Sequence, residues 1–229
     1  MKLWHCVDAR SMRCLWAIEE LKLLGKTVDF ELVTLPFPPR VYHKQFLKKN
    51  IVGTIPLLED RGQKLTESNA ISQYICDKYG PTSLTVKSNE AFYGEYLNWL
   101  HHGEATLTFP QTVVLRYTLQ EPGRADTAAV DYARWFGARQ RLLNTALGDG
   151  RRYLVGNRFT IADISVAYAL YLGTTLKIDG QVLSSRYKPK VKEYMDRMLQ
   201  RPGYLNARES QEISKDLFDS LLEESKSKL

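Results

Sequence analysis

Hydrophobic and polar positions follow two different periods over the first eighty residues. Residues 3–7 form a short apolar run that predicts a first strand. Within residues 11–24, apolar side chains that include Ile18 and Leu21 recur at helical spacing, which predicts a helix with one buried face. Residues 28–35 return to a period of two and predict a second strand. The chain therefore begins as strand, helix, strand.

The following segment predicts a hairpin that leads into a helix. A cluster of prolines breaks the chain before a short predicted helix near residues 41–48. Residues 55–58, Ile-Pro-Leu-Leu, predict a strand, and turn residues at 59–63 lead to a short returning strand at 64–66. A helix opens at Glu67. The order β-α-β-α-β-β-α is the thioredoxin-like layout, and its sheet is mixed because a hairpin pairs antiparallel strands while a helical crossover joins parallel ones.

Strand patterns disappear after a turn-rich linker at residues 79–83, so the second half is predicted to be all-α. The first long helical stretch should bend near Pro110. We expect two domains, a thioredoxin-like domain over residues 1–79 and an all-α domain with a polar tail over residues 88–229. The predicted helices of the second domain cover residues 88–120, 125–147, 161–172 and 188–200.

One helix start in the second domain has a sharp local signal. Residues 158–165 read Arg-Phe-Thr-Ile-Ala-Asp-Ile-Ser, in which Thr160 and Asp163 have the spacing of a capping box. Phe159 before the cap and Ile164 after it suit a hydrophobic staple. This pattern predicts a structural role for Asp163 and no part in chemistry.

Composition is that of an ordinary globular protein. The 229 residues are 44% hydrophobic and 25% charged, and no apolar run reaches the ~18 residues of a membrane span. Asp8 stands where a signal peptide needs an apolar core, so we expect an intracellular protein. The net charge of +6 is spread along the chain, whereas a nucleic-acid-binding surface needs a clustered basic stripe. We therefore expect neither nucleic-acid nor membrane partners.

Cysteine and histidine positions argue against disulfide, redox and metal chemistry. Cys6, Cys14 and Cys76 are odd in number and have unrelated spacings, without a C-x-x-C pair. His101 and Glu104 lie one helical turn apart, but no further cluster offers the remaining ligands of a metal site. We expect no metal and three reduced cysteines, with Cys14 and Cys76 in the core.

A candidate binding site lies around the proline at position 56. Ile55 precedes Pro56 with a backbone edge that a peptide-like ligand could pair with, and Glu67-Ser68 form a helix N-terminus that carries a hydroxyl. Exposed amides and the helix dipole favour a carboxylate at such a terminus. An ordinary hairpin followed by a helix would have the same pattern, so the residues alone leave both interpretations open.

Residues 53–75 resemble the glutathione-binding half of the cytosolic glutathione transferases, and the resemblance covers nearly the whole chain. It implies a two-domain glutathione transferase fold with a cis proline at Pro56. It also implies that the Ile55 backbone pairs with the cysteinyl part of glutathione, while Glu67 and Ser68 hold the γ-glutamyl carboxylate and amine. Residues 158–165 resemble the folding motif at the centre of the family's helical domain.

The loop from Asp8 to Arg13 resembles the Ser-Arg-Ser/Ala-x-Arg segment of bacterial and fungal members, whose role is to activate the glutathione thiol. Ala9 occupies the position of the family's serine, so the expected hydroxyl is missing. Ser11 or Arg10 is then the candidate activator, because a hydroxyl or a cation near sulfur lowers a thiol pKa. Alternatively, Ser11 is only the N-cap of the first helix and Arg10 a surface charge. Arg13 should tie this helix to the rest of its domain.

The resemblance also implies contacts for the other parts of the substrates. Arg40 should hold the glycine carboxylate of glutathione, and Thr54 stands where many relatives carry lysine. An electrophile pocket is expected between the domains. Its wall should be formed by Phe37 from the first domain and by Trp99, His102, Phe109 and Arg116 from the second.

We therefore expect a homodimeric glutathione transferase with glutathione as co-substrate. It would conjugate glutathione to, or reduce with it, a small hydrophobic electrophile. Two other functions stay open: a non-catalytic binding or assembly module built on this fold, and a ligand carrier with residual glutathione affinity. The missing hydroxyl at Ala9 favours the module, whereas Ile55-Pro56 and Glu67-Ser68 favour the enzyme.

The last three residues, Ser227-Lys228-Leu229, match the peroxisomal import signal. The polar residues before them suit an exposed end that a receptor can grip. The sequence thus predicts either a cytoplasmic protein or one imported into peroxisomes or related microbodies.

Overall fold

A computed structural model describes the backbone of residues 1–227 and the side chains of residues 1–215. The predicted import signal at 227–229 falls outside the described side chains. The chain divides into two compact units. One contains residues 1–82 together with the segment from Arg201 onward, and the other contains residues 83–200.

The first unit has a four-stranded mixed sheet in the order β2-β1-β3-β4. Strand β1 pairs parallel with β2 and antiparallel with β3, and β3 pairs antiparallel with β4. This confirms the thioredoxin-like order and the mixed sheet predicted from the sequence. The elements are β1 Lys2–His5, α1 Met12–Leu23, β2 Glu31–Thr34, α2 Pro39–Tyr42, a 3-10 helix Lys44–Lys48, β3 Leu57–Asp60, β4 Gln63–Leu65 and α3 Ser68–Lys78.

Helix α1 is the centre of this unit, because every residue from Met12 to Leu21 is buried. An amphipathic helix covered on one side would bury only one face. Two helices pack against α1 here, α3 and the long C-terminal helix α9, Pro202–Ser227. Charged residues on its second face therefore need buried partners, and Glu20 receives Arg201 through two N–O contacts of 2.8 Å.

Helix α9 differs from the polar tail that the sequence predicted for the all-α domain. It packs on the first unit through a stripe of Tyr204, Ala207 and Gln211, all buried. The Tyr204 ring lies edge-on to Trp16, with 5.0 Å between centroids. The three residues of this stripe are aromatic, small and polar in that order, so the stripe lacks the apolar periodicity by which helices are recognised in a sequence.

The second unit is helical, as predicted, apart from a short hairpin whose two strands have two residues each. The stretch predicted as one long helix is interrupted twice by π-helical turns, at His102–Thr108 and Arg116–Gln120, on either side of the segment that contains Pro110. The other elements are α4 Tyr93–His101, α5 Phe109–Leu115, α6 Asp126–Leu147, α7 Ile161–Thr175, β5 Lys177–Ile178, β6 Gln181–Val182, a 3-10 helix Leu183–Arg186 and α8 Pro189–Leu199.

The predicted capping box is present at the start of α7. The carboxylate of Asp163 accepts the Thr160 N–H at 2.9 Å, and it also accepts the Leu154 N–H and the Tyr194 hydroxyl, each at 2.9 Å. These contacts hold a loop and α8 to the start of α7, which supports a structural role. Among the described helices, none combines the length and apolarity needed to cross a membrane.

Candidate functional site

The peptide bond between Ile55 and Pro56 is cis, immediately before β3. The Ile55 side chain is buried in an apolar cluster, so the segment is anchored from one side. Among the residues that the structure describes, no hydrogen bond uses the N–H or C=O of Ile55. The N–H and C=O of Ile55 are therefore available to pair with an extended ligand, and we call them the open edge. The buried members of the cluster are Trp4, Cys6, Leu35, Phe46, Ile55 and Leu57.

Asn50 shapes the loop that leads to this edge. Its side chain is 5% exposed, donates to the Thr54 carbonyl at 2.9 Å and accepts the Val52 N–H at 3.1 Å. Gly53, which stands between Val52 and Thr54, has φ +65, a backbone conformation that favours glycine. No sequence pattern predicts this role, because a lone asparagine in a polar loop is common.

Arg40 lies directly beside the same loop. A Cβ built on Gly53 would lie 2.8 Å from the Arg40 Cβ, which shows how closely the two backbones approach. The Arg40 side chain is exposed, as is Thr54. The structure thus brings Arg40, Thr54 and Ile55 together, and their predicted contacts with glutathione stay predictions.

Glu67 and Ser68 form the N-terminus of α3. Glu67 is the N-cap residue and is exposed, whereas Ser68 is 3% exposed. The Ser68 hydroxyl accepts a hydrogen bond of 3.0 Å from Nη1 of the buried Arg13. This bond ties α1 to α3, the role predicted for Arg13. It also leaves the Ser68 hydroxyl proton free to donate, with a cation at its oxygen that strengthens it as a donor.

The loop between β1 and α1 approaches the same place. Asp8 has φ +57, and the turn after it is closed by hydrogen bonds from the Ala9 N–H to Cys6 and from the Met12 N–H to Ala9. The Ala9 side chain packs against the apolar cluster that contains Ile55. The position of the family's serine therefore lies on the cluster that anchors the Ile55 side chain, and it holds a methyl group.

Ser11 does not fit its predicted role as thiol activator. Its side chain is fully buried, and its hydroxyl lies 2.8 Å from Nδ1 of His5. Burial lowers the pKa of His5 to about 4, so this ring is neutral near pH 7 and Nδ1 can accept the Ser11 proton. The alternative is also only half right, since Ser11 is the N-cap residue of α1 but its side chain makes no capping bond. Arg10, which is half-buried, stays a candidate.

The protein's own cysteines offer no thiolate near neutral pH. All three are buried free thiols, which confirms the core positions predicted for Cys14 and Cys76. Burial raises the pKa of Cys6 and of Cys14 to about 12, and it raises the pKa of Cys76 as well. A thiol nucleophile at this site would have to come from a bound ligand. Within the described residues, no group of side chains has the composition of a metal site.

The residues predicted for the electrophile wall have different environments. In the first unit, Phe37 is 47% exposed. In the second unit, Trp99 is only 3% exposed and lies in the core. The His102 ring lies edge-on to Trp99, and burial lowers the pKa of His102. Phe109 is half exposed and contacts Tyr132. Arg116 is held by Glu121 at 2.9 Å.

Two family models match the chain. Residues 1–77 match the glutathione S-transferase N-terminal domain, and residues 140–202 match the glutathione S-transferase C-terminal domain. The first match contains the cis proline, the open edge and the N-terminus of α3. The second contains the capping box at Thr160.

Curated relatives carry two kinds of name. Glutathione S-transferase 3 of Schizosaccharomyces pombe is 31% identical over 105 residues, which are 46% of this chain and 41% of that protein. Elongation factor 1-gamma 1 of Oryza sativa subsp. japonica is 30% identical over 167 residues, 70% of this chain and 37% of that protein. The chain thus spans about two fifths of the length of these relatives.

Solved structures of similar fold are glutathione transferases. A sphingomonad glutathione S-transferase complexed with glutathione has a TM-score of 0.76 and 25% identity, and the match covers 92% of this chain and 98% of that one. A glutathione transferase from Methylococcus capsulatus str. Bath has a TM-score of 0.77 and 24% identity, with 93% and 98% covered. The second likeness concerns the fold alone.

Proposed function

Because the chain belongs to the glutathione S-transferase family, we propose that it binds glutathione and activates its thiol for reaction with a small hydrophobic electrophile. The observation that carries the proposal is the open backbone edge of Ile55 beside the N-terminus of α3. An extended tripeptide can pair with that edge through its central residue. Its γ-glutamyl carboxylate would then reach the amides of α3, where the helix dipole favours an anion.

The other end of glutathione would meet Arg40. Its glycine carboxylate is an anion, and the exposed Arg40 guanidinium next to Gly53 supplies an opposite charge at the far end of the loop. Arginine suits this task because its planar fork matches a carboxylate. Thr54, which is also exposed, can add a hydroxyl but no charge.

Thiol activation would depend on Arg10 and the amides that open α1. A free thiol has a pKa of about 8.5, so a cation or helix N-terminal amides must favour the thiolate near pH 7. Ala9 has no polar atom in its side chain, and the Ser11 proton is bound to His5. The released thiolate would attack the electrophilic carbon of the second substrate, displace its leaving group and form a thioether.

The direct test is calorimetric titration with glutathione, followed by a conjugation assay with 1-chloro-2,4-dinitrobenzene. We expect saturable binding at one site per chain and thioether formation faster than in buffer. A Glu67→Gln variant should bind more weakly, since it loses charge at the α-amino group of the ligand. As a matched control, Glu95→Gln alters an acidic residue of α4 in the other unit and should bind normally. Absence of glutathione binding in the wild type would overturn the proposal.

A second function, a non-catalytic binding or assembly module, is favoured by two observations. The family's hydroxyl position is Ala9, and Ser11 is buried. Several relatives carry the name elongation factor 1-gamma, which does not describe a transferase. This function would be favoured over the enzyme if glutathione binds, its bound thiol is found to be protonated near pH 7, and no electrophile is converted.

We also propose that the protein forms a homodimer, as the family resemblance implies. Sedimentation equilibrium of the full chain tests this directly: a mass of twice 26.3 kDa is expected. A monomer at micromolar concentration would contradict it.

A further inference from the structure

A partly buried polar cluster joins α9 to the loop that carries Ala9 and Arg10. We call it the Asp8 cluster, and its members are His5, Asp8, Ser11, Arg208 and Gln211. All five lie in the first unit, and the hydrogen bonds that connect them span about two hundred residues of sequence. His5, Ser11 and Gln211 are fully buried, whereas the side chains of Asp8 and Arg208 are about one third exposed. Polar groups are costly to bury unless they are paired, and the proposed chemistry does not explain why these are buried here.

Both polar atoms of the Gln211 side chain bond Asp8, and its oxygen also contacts His5 of β1. Its side-chain oxygen accepts the Asp8 N–H at 3.1 Å and lies 3.2 Å from Nε2 of His5. Its side-chain nitrogen donates to the Asp8 carboxylate at 2.9 Å. Because that oxygen is an acceptor, Nε2 of His5 must carry the ring proton, which leaves Nδ1 to accept from Ser11. One glutamine therefore fixes the Asp8 backbone, the Asp8 side chain and the His5 tautomer.

Arg208 supplies the charge that balances Asp8. Its Nη1 donates to the Asp8 carboxylate at 2.5 Å. Other groups that face Asp8 include His5, which is neutral near pH 7, and Tyr204 of α9, whose pKa burial raises to about 12. Glu212, on α9, lies 4.0 Å from Arg208 on its other side. Arg208 is thus a cation that neutralises the carboxylate of the residue before Ala9, the position of the family's serine.

We propose that Arg208 and Gln211 are positioning residues of the thiol site, which fix the Asp8–Ser11 loop and neutralise the Asp8 carboxylate beside the glutathione sulfur. The inference rests on the proposed function, since it requires glutathione to bind there. A carboxylate near a thiol disfavours the thiolate by like-charge repulsion, and an arginine bound to that carboxylate cancels the effect. Helix α9 would thereby tune thiol chemistry without touching the substrate.

The test is the thiol pKa of bound glutathione, read from the ultraviolet absorbance of the thiolate as a function of pH. Arg208→Gln should raise this pKa by about half a unit or more, because the Asp8 charge is no longer balanced. Asp8→Asn should lower it, since the carboxylate charge is removed while the Arg208 charge stays, and asparagine tolerates the positive φ at this position. The double variant should return close to the wild-type value.

A control separates this effect from general loosening of α9. Ser214 bonds Thr34 of β2 at 2.7 Å and does not touch the Asp8 cluster, so Ser214→Ala should lower the melting temperature without moving the thiol pKa. Opposite shifts in the two single variants support the proposal. If glutathione binds to all variants with one unchanged thiol pKa, the inference is wrong while the proposed function stands. If the wild type does not bind glutathione, both fall together.

Discussion

The Ser11 hydroxyl lies 2.8 Å from Nδ1 of His5, and both side chains are fully buried. A serine two positions after the family's serine therefore does not replace it. The hydroxyl is directed to β1, where it satisfies a histidine that would otherwise be buried without a partner. The remaining candidates for thiol activation are therefore a cation, Arg10, and the backbone amides at the start of α1.

The neutral state of His5 predicts a loss of stability in acid. Burial lowers the pKa of His5 from 6.5 to about 4 in the folded chain, so between these values the unfolded chain binds more protons. Stability from this group is present above pH 6.5 and is lost as the pH falls toward 4, by about 3 kcal/mol in total. Urea unfolding of the wild type and of His5→Gln across this range measures the effect as the difference between the two proteins.

The comparison with the variant is needed because Asp163 acts in the opposite direction. Burial raises the pKa of its carboxyl from 3.8 to about 6, although four hydrogen bonds favour the ionised form. The folded chain therefore binds the proton more tightly and gains stability as the pH falls through that window. A free-energy difference between wild type and His5→Gln that stays constant from pH 7 to pH 4 would contradict the neutral buried histidine.

Ser68 should contribute to glutathione affinity through its hydroxyl proton. Ser68→Ala removes a donor that Arg13 orients, so binding should weaken by about 1 kcal/mol or more, roughly fivefold in dissociation constant. Ser72→Ala, one turn later in the same helix, removes a buried hydroxyl that bonds the Ser68 carbonyl and the Cys14 thiol, and it serves as the control. Calorimetry measures both, and equal affinities in the two variants would mean that the Ser68 hydroxyl does not contact the ligand.

The sequence predicted the order of elements in the first unit because each element has a strong periodic pattern and clear breakers. The cis peptide before Pro56 agrees with the resemblance, and the contact between Arg13 and Ser68 agrees with the role expected for Arg13. The boundaries were less accurate: residues 28–35 were predicted as a strand, and the structure has β2 at Glu31–Thr34. Pattern fixes the type of an element better than its ends.

The misses have a common physical cause. Helix α9, the role of Asn50 and the burial of Ser11 all depend on bonds between polar groups: those of α9 reach partners about 200 residues away, and those of Asn50 and Ser11 reach partners within six residues. A glutamine such as Gln211 is usually predicted to face solvent, but here it bonds Asp8 and contacts His5. Hydrophobic periodicity contains no information about such pairs, since it reports only which face is apolar.

Gly203 should be required for the packing of α9 against α1. A Cβ there would lie 2.6 Å from the Glu20 carboxylate, which cannot move away without losing Arg201 and the Trp16 N–H. Gly203→Ala should therefore lower the free energy of unfolding by about 1–3 kcal/mol, the usual range for overpacking. In contrast, a Cβ at Gly137 in α6 meets nothing within 4 Å, so Gly137→Ala should stabilise by about 0.5–1 kcal/mol. Denaturant unfolding of both variants checks the opposite signs.

Arg10 should be the side chain that favours the glutathione thiolate. It follows Ala9 at the entrance to α1 and is half-buried, so its charge is screened less than that of a fully exposed arginine. Arg10→Gln should raise the thiol pKa of bound glutathione by about half a unit or more and slow conjugation at pH 6.5 more than at pH 9, where the thiol is ionised in both proteins. Arg61→Gln removes an exposed charge in the turn between β3 and β4 and serves as the control. If Arg10→Gln slows the reaction equally at both pH values, the side chain positions glutathione, and activation rests on the amides at the start of α1.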